Sequence, residues 1–468
     1  MSRKMFDSWA IPDAVQFPGA TCSSLGPEFS VRCLSIDSQW LDGLANILIE
    51  GNSTLRKRSA SDLARVLGIV GSRFLEEGDP LRAKALELLP RASGLSVPMA
   101  RAVLDGMAAD WVEDRLSELL SNEFGTSDVL DGFVQQNGCR TMAIGADLCV
   151  QIVAGSVPGV GVTALIRSLL TKASTLLKPG RGDVVLPVLF TKALAVIDPD
   201  LAEAVAVLYW SGGSSDLESA VLSRADVVTT YGGDESVQGI RALTPVTKRF
   251  VPYHHRVSVG VIGSYALTSE LVEDTARDVA RAVAVFDQRG CVSPRSIYVE
   301  ASGDVTPRAF AGYLASALEV LEQDLPGGYL ELEEMAALQQ VRGAAELIAS
   351  SDSAVEIYHG GRASWTVIFD PDAELECHHA GRMLRVEPIV NRSDLAKRLG
   401  PDRAHLQSVG VAGLGAELEV LAEELGRMGV SRVAKFSELP FPPPSWHHDG
   451  GNPLRDLVHW VDLEDEGD

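Results

Sequence analysis

Positive charge is scarce in this chain. Its 41 lysines and arginines face 64 aspartates and glutamates, a net charge of −23 over 468 residues. Such a balance argues against a general nucleic-acid binder or a protein that adheres to anionic membranes. Long apolar runs are also missing: no stretch of about 18 apolar residues occurs, so no segment reads as a membrane span. The six cysteines (22, 33, 139, 149, 291, 377) lack framework spacing, which predicts reduced thiols in a cytosolic protein. Residues 1–7 lack the apolar core of a signal peptide. Neither CxxC nor HExxH spacing is present, and the three histidine doublets (254–255, 378–379, 447–448) are poor ligand pairs, because neighbours in a strand point to opposite faces. The expectation is no metal. Internal repeats and long low-complexity segments are absent too.

What is present suits a soluble enzyme. Hydrophobic residues make up 46% and charged residues 22%, with mean hydropathy +0.09, enough for a sizeable core and two or three domains. The acidic run 462–468 reads as a solvated tail. Residues 60–76 and 103–120 carry apolar side chains at helical spacing. From residue 147 the pattern alternates: a strand at 148–154, an amphipathic helix at 164–177, a strand at 184–190, further elements to 228–230. A second alternating block spans 257–433, with long helices at 331–348 and 416–428. Alternation of this kind predicts parallel sheets covered on both faces. The proline-containing stretch 244–255 is the expected crossing point, and Pro440-Phe441-Pro442-Pro443-Pro444 stiffens the approach to the C-terminal segment.

The most informative stretch is Phe286-Asp287-Gln288-Arg289-Gly290-Cys291-Val292-Ser293-Pro294. A helical pattern at 271–286 precedes it, and a buried strand at 297–299 follows. A cysteine on such a loop can be partly exposed and act as a nucleophile once deprotonated. Most free cysteines, by contrast, are small buried hydrophobes.

This loop resembles the nucleophile loop of the aldehyde dehydrogenase superfamily, and most closely the acyl-CoA reductases of the bacterial bioluminescence type. Three further segments agree in order: Gly155-Ser156-Val157-Pro158-Gly159, Tyr231-Gly232-Gly233-Asp234-Glu235, and Trp446-His447-His448-Asp449-Gly450 with Leu454, Leu457 and Trp460. The resemblance covers roughly residues 145–462. It implies an α/β, aldehyde-dehydrogenase-like fold: a Rossmann-like cofactor domain with an N-terminal helical layer (1–255), an α/β catalytic domain bearing the nucleophile (256–435), a C-terminal segment with an acidic tail (436–468), and a small oligomerisation element. It implies a homo-oligomer, often accompanied by a partner that activates a carboxylic acid; this chain has no adenylating motif of its own.

The implied chemistry is NADPH-dependent reduction of an acyl thioester, carried by CoA or a protein, to an aldehyde through an acyl group on Cys291. The same chemistry run backwards is a CoA-acylating aldehyde dehydrogenase, and a non-catalytic scaffold of this fold is a further alternative. Relatives place an asparagine before Val-Pro as an oxyanion donor; here the position is Ser156, whose shorter hydroxyl aims less firmly. Oxidising relatives carry a glutamate that activates water, whereas Pro252-Tyr253-His254-His255-Arg256-Val257-Ser258 has no carboxylate, which fits reduction. His254 or His255 could shuttle a proton or simply pack under the sheet.

For the cofactor, Gly159-Val160-Gly161-Val162-Thr163-Ala164 matches a dinucleotide fingerprint, with Asp183 at the distance of a ribose-binding acid. The resemblance points elsewhere: Lys178 at the adenosine ribose, with Gly232 and Gly233 letting a turn approach the pyrophosphate. Arg181 stands where many NAD-using relatives carry an acid. A guanidinium there can pair with a 2′-phosphate or point to solvent, and the former favours NADPH.

Overall fold

The computed structural model describes residues 4–26, 29–136, 138–153, 155, 157–361, 364–373, 375 and 381–464. Strictly alternating side chains decide how its first large sheet is covered. In the strand Val205–Leu208, Val205 and Val207 join one apolar cluster while Ala206 and Leu208 join another on the opposite face. Helices Val160–Leu170 and Val185–Ile197 cover the first face, and Ser38–Arg56 and Ser215–Arg224 the second. The strand order is Arg249–Tyr253, Val227–Tyr231, Leu148–Val153, Ser174–Lys178, Val205–Leu208, Trp9–Ala10. All neighbours pair in parallel except the last two. Burial on both faces explains why these strands read as continuous apolar runs.

The second large sheet has seven strands, ordered Glu356–His359, Thr366–Phe369, Met383–Ile389, Pro294–Glu300, Val257–Ile262, Leu406–Ala412, Arg432–Lys435. Only Glu356–His359 runs antiparallel to its neighbour. Helices Val272–Ala284 and Pro307–Asp324 pack on one face around Ile297, Val299 and Phe310. Arg392–Leu399 and Leu418–Arg427 cover the other through Leu395, Leu399, Leu421 and Leu425. A small antiparallel sheet joins Val134–Gln136 and Cys139–Gly145 to Val458–Leu463, so the C-terminal segment is stitched back onto the first half of the chain.

Three expectations change. Residues 184–190 are not a strand: Val185–Ile197 is a helix whose first seven residues are all buried. A helix buried all round has no polar face, so its apolar run cannot be told from a strand by periodicity. Pro187 sits in its first turn, where no intrahelical hydrogen bond is lost. The helix expected over 164–177 runs Val160–Leu170 and stops at Lys172, whose φ is +62°, before the strand Ser174–Lys178. The helix expected over 103–120 is two, Val97–Ala108 and Glu113–Phe124. The break lets Trp111 and Glu113 lie against Gly68 and Gly71; a Cβ on Gly71 would stand 2.1 Å from the Trp111 carbonyl oxygen. Among the described residues no helix is long and apolar enough to cross a membrane.

Candidate active site

Ahead of the cysteine, the helix Val272–Ala284 gives way to three consecutive residues with left-handed backbone: Phe286, Asp287 and Gln288, with φ of +62°, +50° and +61°. Each costs roughly 1–2 kcal/mol for a side chain with a Cβ, so the surroundings must hold them. Asp287 Oδ1 accepts from Arg382 Nε and Nη2 at 3.0 and 2.8 Å, and the pair is almost wholly buried. Asp287 Oδ2 accepts from the Gly328 amide at 3.0 Å. Arg382 also reaches Glu322 and the Leu325 carbonyl. Gln288 exchanges hydrogen bonds with the Met383 backbone in both directions and donates to the Pro294 carbonyl. Phe286 packs edge-on against Phe441, 5.4 Å between centroids.

The loop so aimed presents Cys291 to open space, and Ser258 Oγ anchors it by donating to the Cys291 carbonyl at 2.6 Å. Two cavities meet at this residue. One is a cleft of about 540 Å³ lined by Gly155, Arg181, Gly232, Gly233, His254, His255, Arg256, Arg289 and Gln407. The other is an apolar pocket of about 150 Å³ between Met107, Trp111, Leu116, Leu119, Phe286 and Phe441. Cys291, Gly290, Tyr231, His448, Val157 and Val160 border both.

Although open to the cleft, Cys291 lies deep in the protein. The surrounding mass and then the Asp449 carboxylate push its thiol up to about 11. The Gln407 side chain and the amides of Cys291 and Val292 pull the other way. At pH 7 a thiol near 11 is ionised in about one molecule in ten thousand, so local donors to the sulfur decide its reactivity. Buried Cys149, pushed to about 12 by desolvation, faces no such cavity and is a packing residue.

His448 is the histidine at the junction of the two cavities. It stacks between Tyr253 (4.5 Å) and Trp446 (4.7 Å), and burial lowers its pKa to about 4, so it is neutral at physiological pH. His254 and His255 line the polar cleft only. His254 Nδ1 lies 3.0 Å from the His255 carbonyl oxygen and 3.6 Å from Asp234. Asp234, His254 and His405 bring ligand atoms within 4.8 Å of one another, from three separate segments that doublet spacing could not reveal. Ser156, and the doublet at 378–379 beside Cys377, lie outside the described residues.

Gly232 and Gly233 line the cleft, and a Cβ on Gly233 would meet no protein atom within 4 Å, so the turn leaves its backbone open to a ligand. Arg181 lines the same cleft; its Nε donates to the Leu25 carbonyl at 2.6 Å and its Nη2 stands 3.3 Å from Glu331 in a half-exposed pair. Lys178 does not line it. That side chain is buried, 5.5 Å from the centre of the Trp210 ring, and burial lowers its pKa. Asp183 is buried too, accepting from the Gly159 and Gly161 amides at 2.7 and 2.6 Å, with its carboxyl pushed up to about 7. It closes the N-terminus of the helix Val160–Leu170, which leaves neither that acid for a ribose nor that terminus for a phosphate. The open glycine turn and the arginine-lined cleft leading to Cys291 nonetheless fit a dinucleotide.

This is the aldehyde dehydrogenase fold. The chain superposes on a salicylaldehyde dehydrogenase from Pseudomonas putida G7 with TM-score 0.75, at 13% identity over 99% of each chain. It superposes on an aldehyde dehydrogenase C from Pseudomonas syringae, solved with NAD+ and octanal, with TM-score 0.72, at 12% identity over 100% of this chain and 98% of that one. Within that fold, the acyl-CoA reductase (LuxC) family matches residues 60–460, and the chain belongs to it. It is similar to the long-chain acyl-protein thioester reductases of Aliivibrio fischeri, 24% identical over 86% of this chain and 82% of that one, and of Photobacterium phosphoreum, 22% identical over 89% and 83%. The expected family and fold are both met. Sequence reasoning missed Arg382 and Gln407, and gave His448 and Asp449 no task beyond the C-terminal segment that carries the resemblance. A glutamine followed by a serine inside the buried strand Leu406–Ala412 was the available signal.

Proposed function

We propose that this protein reduces an acyl thioester, on CoA or on a protein, to an aldehyde with NADPH, by way of an acyl group carried on Cys291. The observation that carries this reading is the position of Cys291 where an apolar pocket meets a polar cleft. The pocket receives the acyl chain, with Trp111, Phe286 and Phe441 excluding water. The cleft receives the nucleotide, whose reduced nicotinamide supplies hydride. Cys291 sulfur attacks the thioester carbonyl carbon, and the donor leaves as its thiol with the proton that Cys291 gave up. The amides of Cys291 and Val292, already turned toward the sulfur, are suited to steady negative charge beside it. After reduction, collapse of the cysteine-bound thiohemiacetal breaks the C–S bond and releases the aldehyde. Loss of the water-activating glutamate of oxidising relatives protects the acyl-enzyme from hydrolysis.

Intact-mass spectrometry tests this directly. Incubation with a panel of acyl-CoAs, without nucleotide, should leave one acyl adduct that maps to Cys291; no adduct, or one on another cysteine, overturns the reading. The pocket also predicts how chain length is limited. A Cβ on Gly106 would fall 2.2 Å from the Phe441 ring, so Gly106→Val should drive that ring into the pocket. The longest acyl chain accepted in the same assay should shorten by several carbons.

Arg181 carries the preference for NADPH. One charge-assisted contact to the 2′-phosphate contributes about 1.5 kcal/mol at a half-exposed site, roughly tenfold in affinity. Arg181→Glu should raise the KM for NADPH at least that much and change the KM for NADH little. Equal effects on both would show that Arg181 does not read the phosphate.

A further inference from the structure

Gln407 and Asp449 form a buried polar pair beside the reactive thiol that the acyl-transfer scheme leaves unused. Gln407 Nε2 donates to Asp449 Oδ1 at 2.6 Å, and Arg256 Nε stands 3.4 Å from the same oxygen. A carboxylate only accepts, so the Gln407 atom beside it must be its NH2 nitrogen. The amide orientation is thereby fixed by chemistry. It comes at a loss, because Gln407 Oε1 and Asp449 Oδ2 are both buried without a hydrogen-bond partner. Asp449 is further held with φ of +53°, a strained conformation for a residue with a Cβ. Two unsatisfied oxygens and a strained backbone call for a compensating task.

The task is visible in where the amide goes. Gln407 lines the cleft with Cys291, and its strand is tied to that residue: Ser258 Oγ accepts from the Ser408 amide and donates to the Cys291 carbonyl. An NH2 group has two hydrogens. With one committed to Asp449, the other is free for the sulfur; flipped, the amide would aim its carbonyl oxygen there and repel a thiolate.

We infer that Gln407 donates a hydrogen bond to the Cys291 thiolate, and that Asp449 is a positioning residue that holds the amide in its donating orientation. Asp449 thus opposes itself: its charge disfavours the thiolate while its grip on Gln407 favours it. Arg256 at 3.4 Å offsets part of that charge. His448, with Nε2 3.9 Å from Asp449 Oδ1, and Tyr253 are the other titratable groups facing the pair, and His448 is neutral at working pH.

The inference rests on Cys291 being the reactive thiol, but its readout needs no acyl transfer. The pH dependence of iodoacetamide alkylation at Cys291 is followed on the full chain by peptide mass spectrometry, which separates it from the other cysteines. Gln407→Leu, close in volume, should move the midpoint up and slow alkylation at pH 8 about tenfold, the effect of roughly one unit in thiol pKa. In an Asp449→Asn background the amide can flip, so the same substitution should change the rate less than about twofold. An unchanged or lowered midpoint in Gln407→Leu overturns the inference, as does an equal fold-loss in both backgrounds. Gln407→Met serves if the leucine variant does not fold, judged by its thermal transition. Alkylation that shifts as expected in a protein that never forms an acyl adduct would sink the acyl-transfer reading and leave this one standing.

Discussion

Cys291→Ala should abolish thioester reduction, by at least about 10⁴-fold, while nucleotide affinity changes less than about twofold. The two halves of that result follow from geometry. Cys291 supplies the only thiol, among the described cysteines, that borders both cavities. On the proposed scheme, its loss leaves no thiol to hold the acyl group between pocket and cleft. The glycine turn at Gly232 and Gly233 and the Arg181 contact lie on other segments and keep their places. Single-turnover reduction and nucleotide titration by fluorescence measure the two halves separately. Reduction at the normal rate would remove Cys291 from the chemistry.

Arg382→Met should be the most destabilising of the substitutions considered, by about 3–5 kcal/mol, because it leaves the Asp287 carboxylate buried without its cation. Asp287 is one of three successive left-handed residues, none of them glycine. Once Arg382 is gone, relaxation of the stretch moves Gly290 and Cys291. A chemical denaturation curve should show the loss, and Cys291 alkylation should change in a protein that is still folded. A drop below about 1 kcal/mol, with alkylation unchanged, would mean that Gln288 and Gly328 suffice to hold the loop.

The contrast between these two residues shows what a sequence discloses here. The place of Cys291, on a loop between a helix and a strand, was legible because that pattern is written locally, in the residues on either side of it. Arg382 was not, since its partner Asp287 lies 95 residues earlier and only the pairing of Pro294–Glu300 with Met383–Ile389 brings them together. Gln407 and Asp449 belong to the same class, 42 residues apart and meaningful only beside a third segment. For the fold, the helix Val272–Ala284 declared itself through a one-sided apolar stripe, with eight of its residues buried. Val185–Ile197 did not, since burial on all sides over its first seven residues erases the stripe that periodicity needs. Lys178 departs from expectation for a different reason: the resemblance put it near a ribose, but its side chain is buried with the ammonium 5.5 Å from the centre of the Trp210 ring, and it does not line the cleft.

The stitching of Val458–Leu463 onto Cys139–Gly145 has a consequence for synthesis on the ribosome. Residues 436–463 are made, at about 5–20 residues per second, after the strands of both large sheets and the loop of Cys291 have been synthesised. Phe441, which walls the apolar pocket, and Asp449, which fixes Gln407, arrive only with that later stretch. Until they take their places, the Gln407 amide lacks its Asp449 partner and the apolar pocket lacks one wall. Closure of the small sheet therefore completes the surroundings of Cys291 as it ties the C-terminal segment to the first half of the chain.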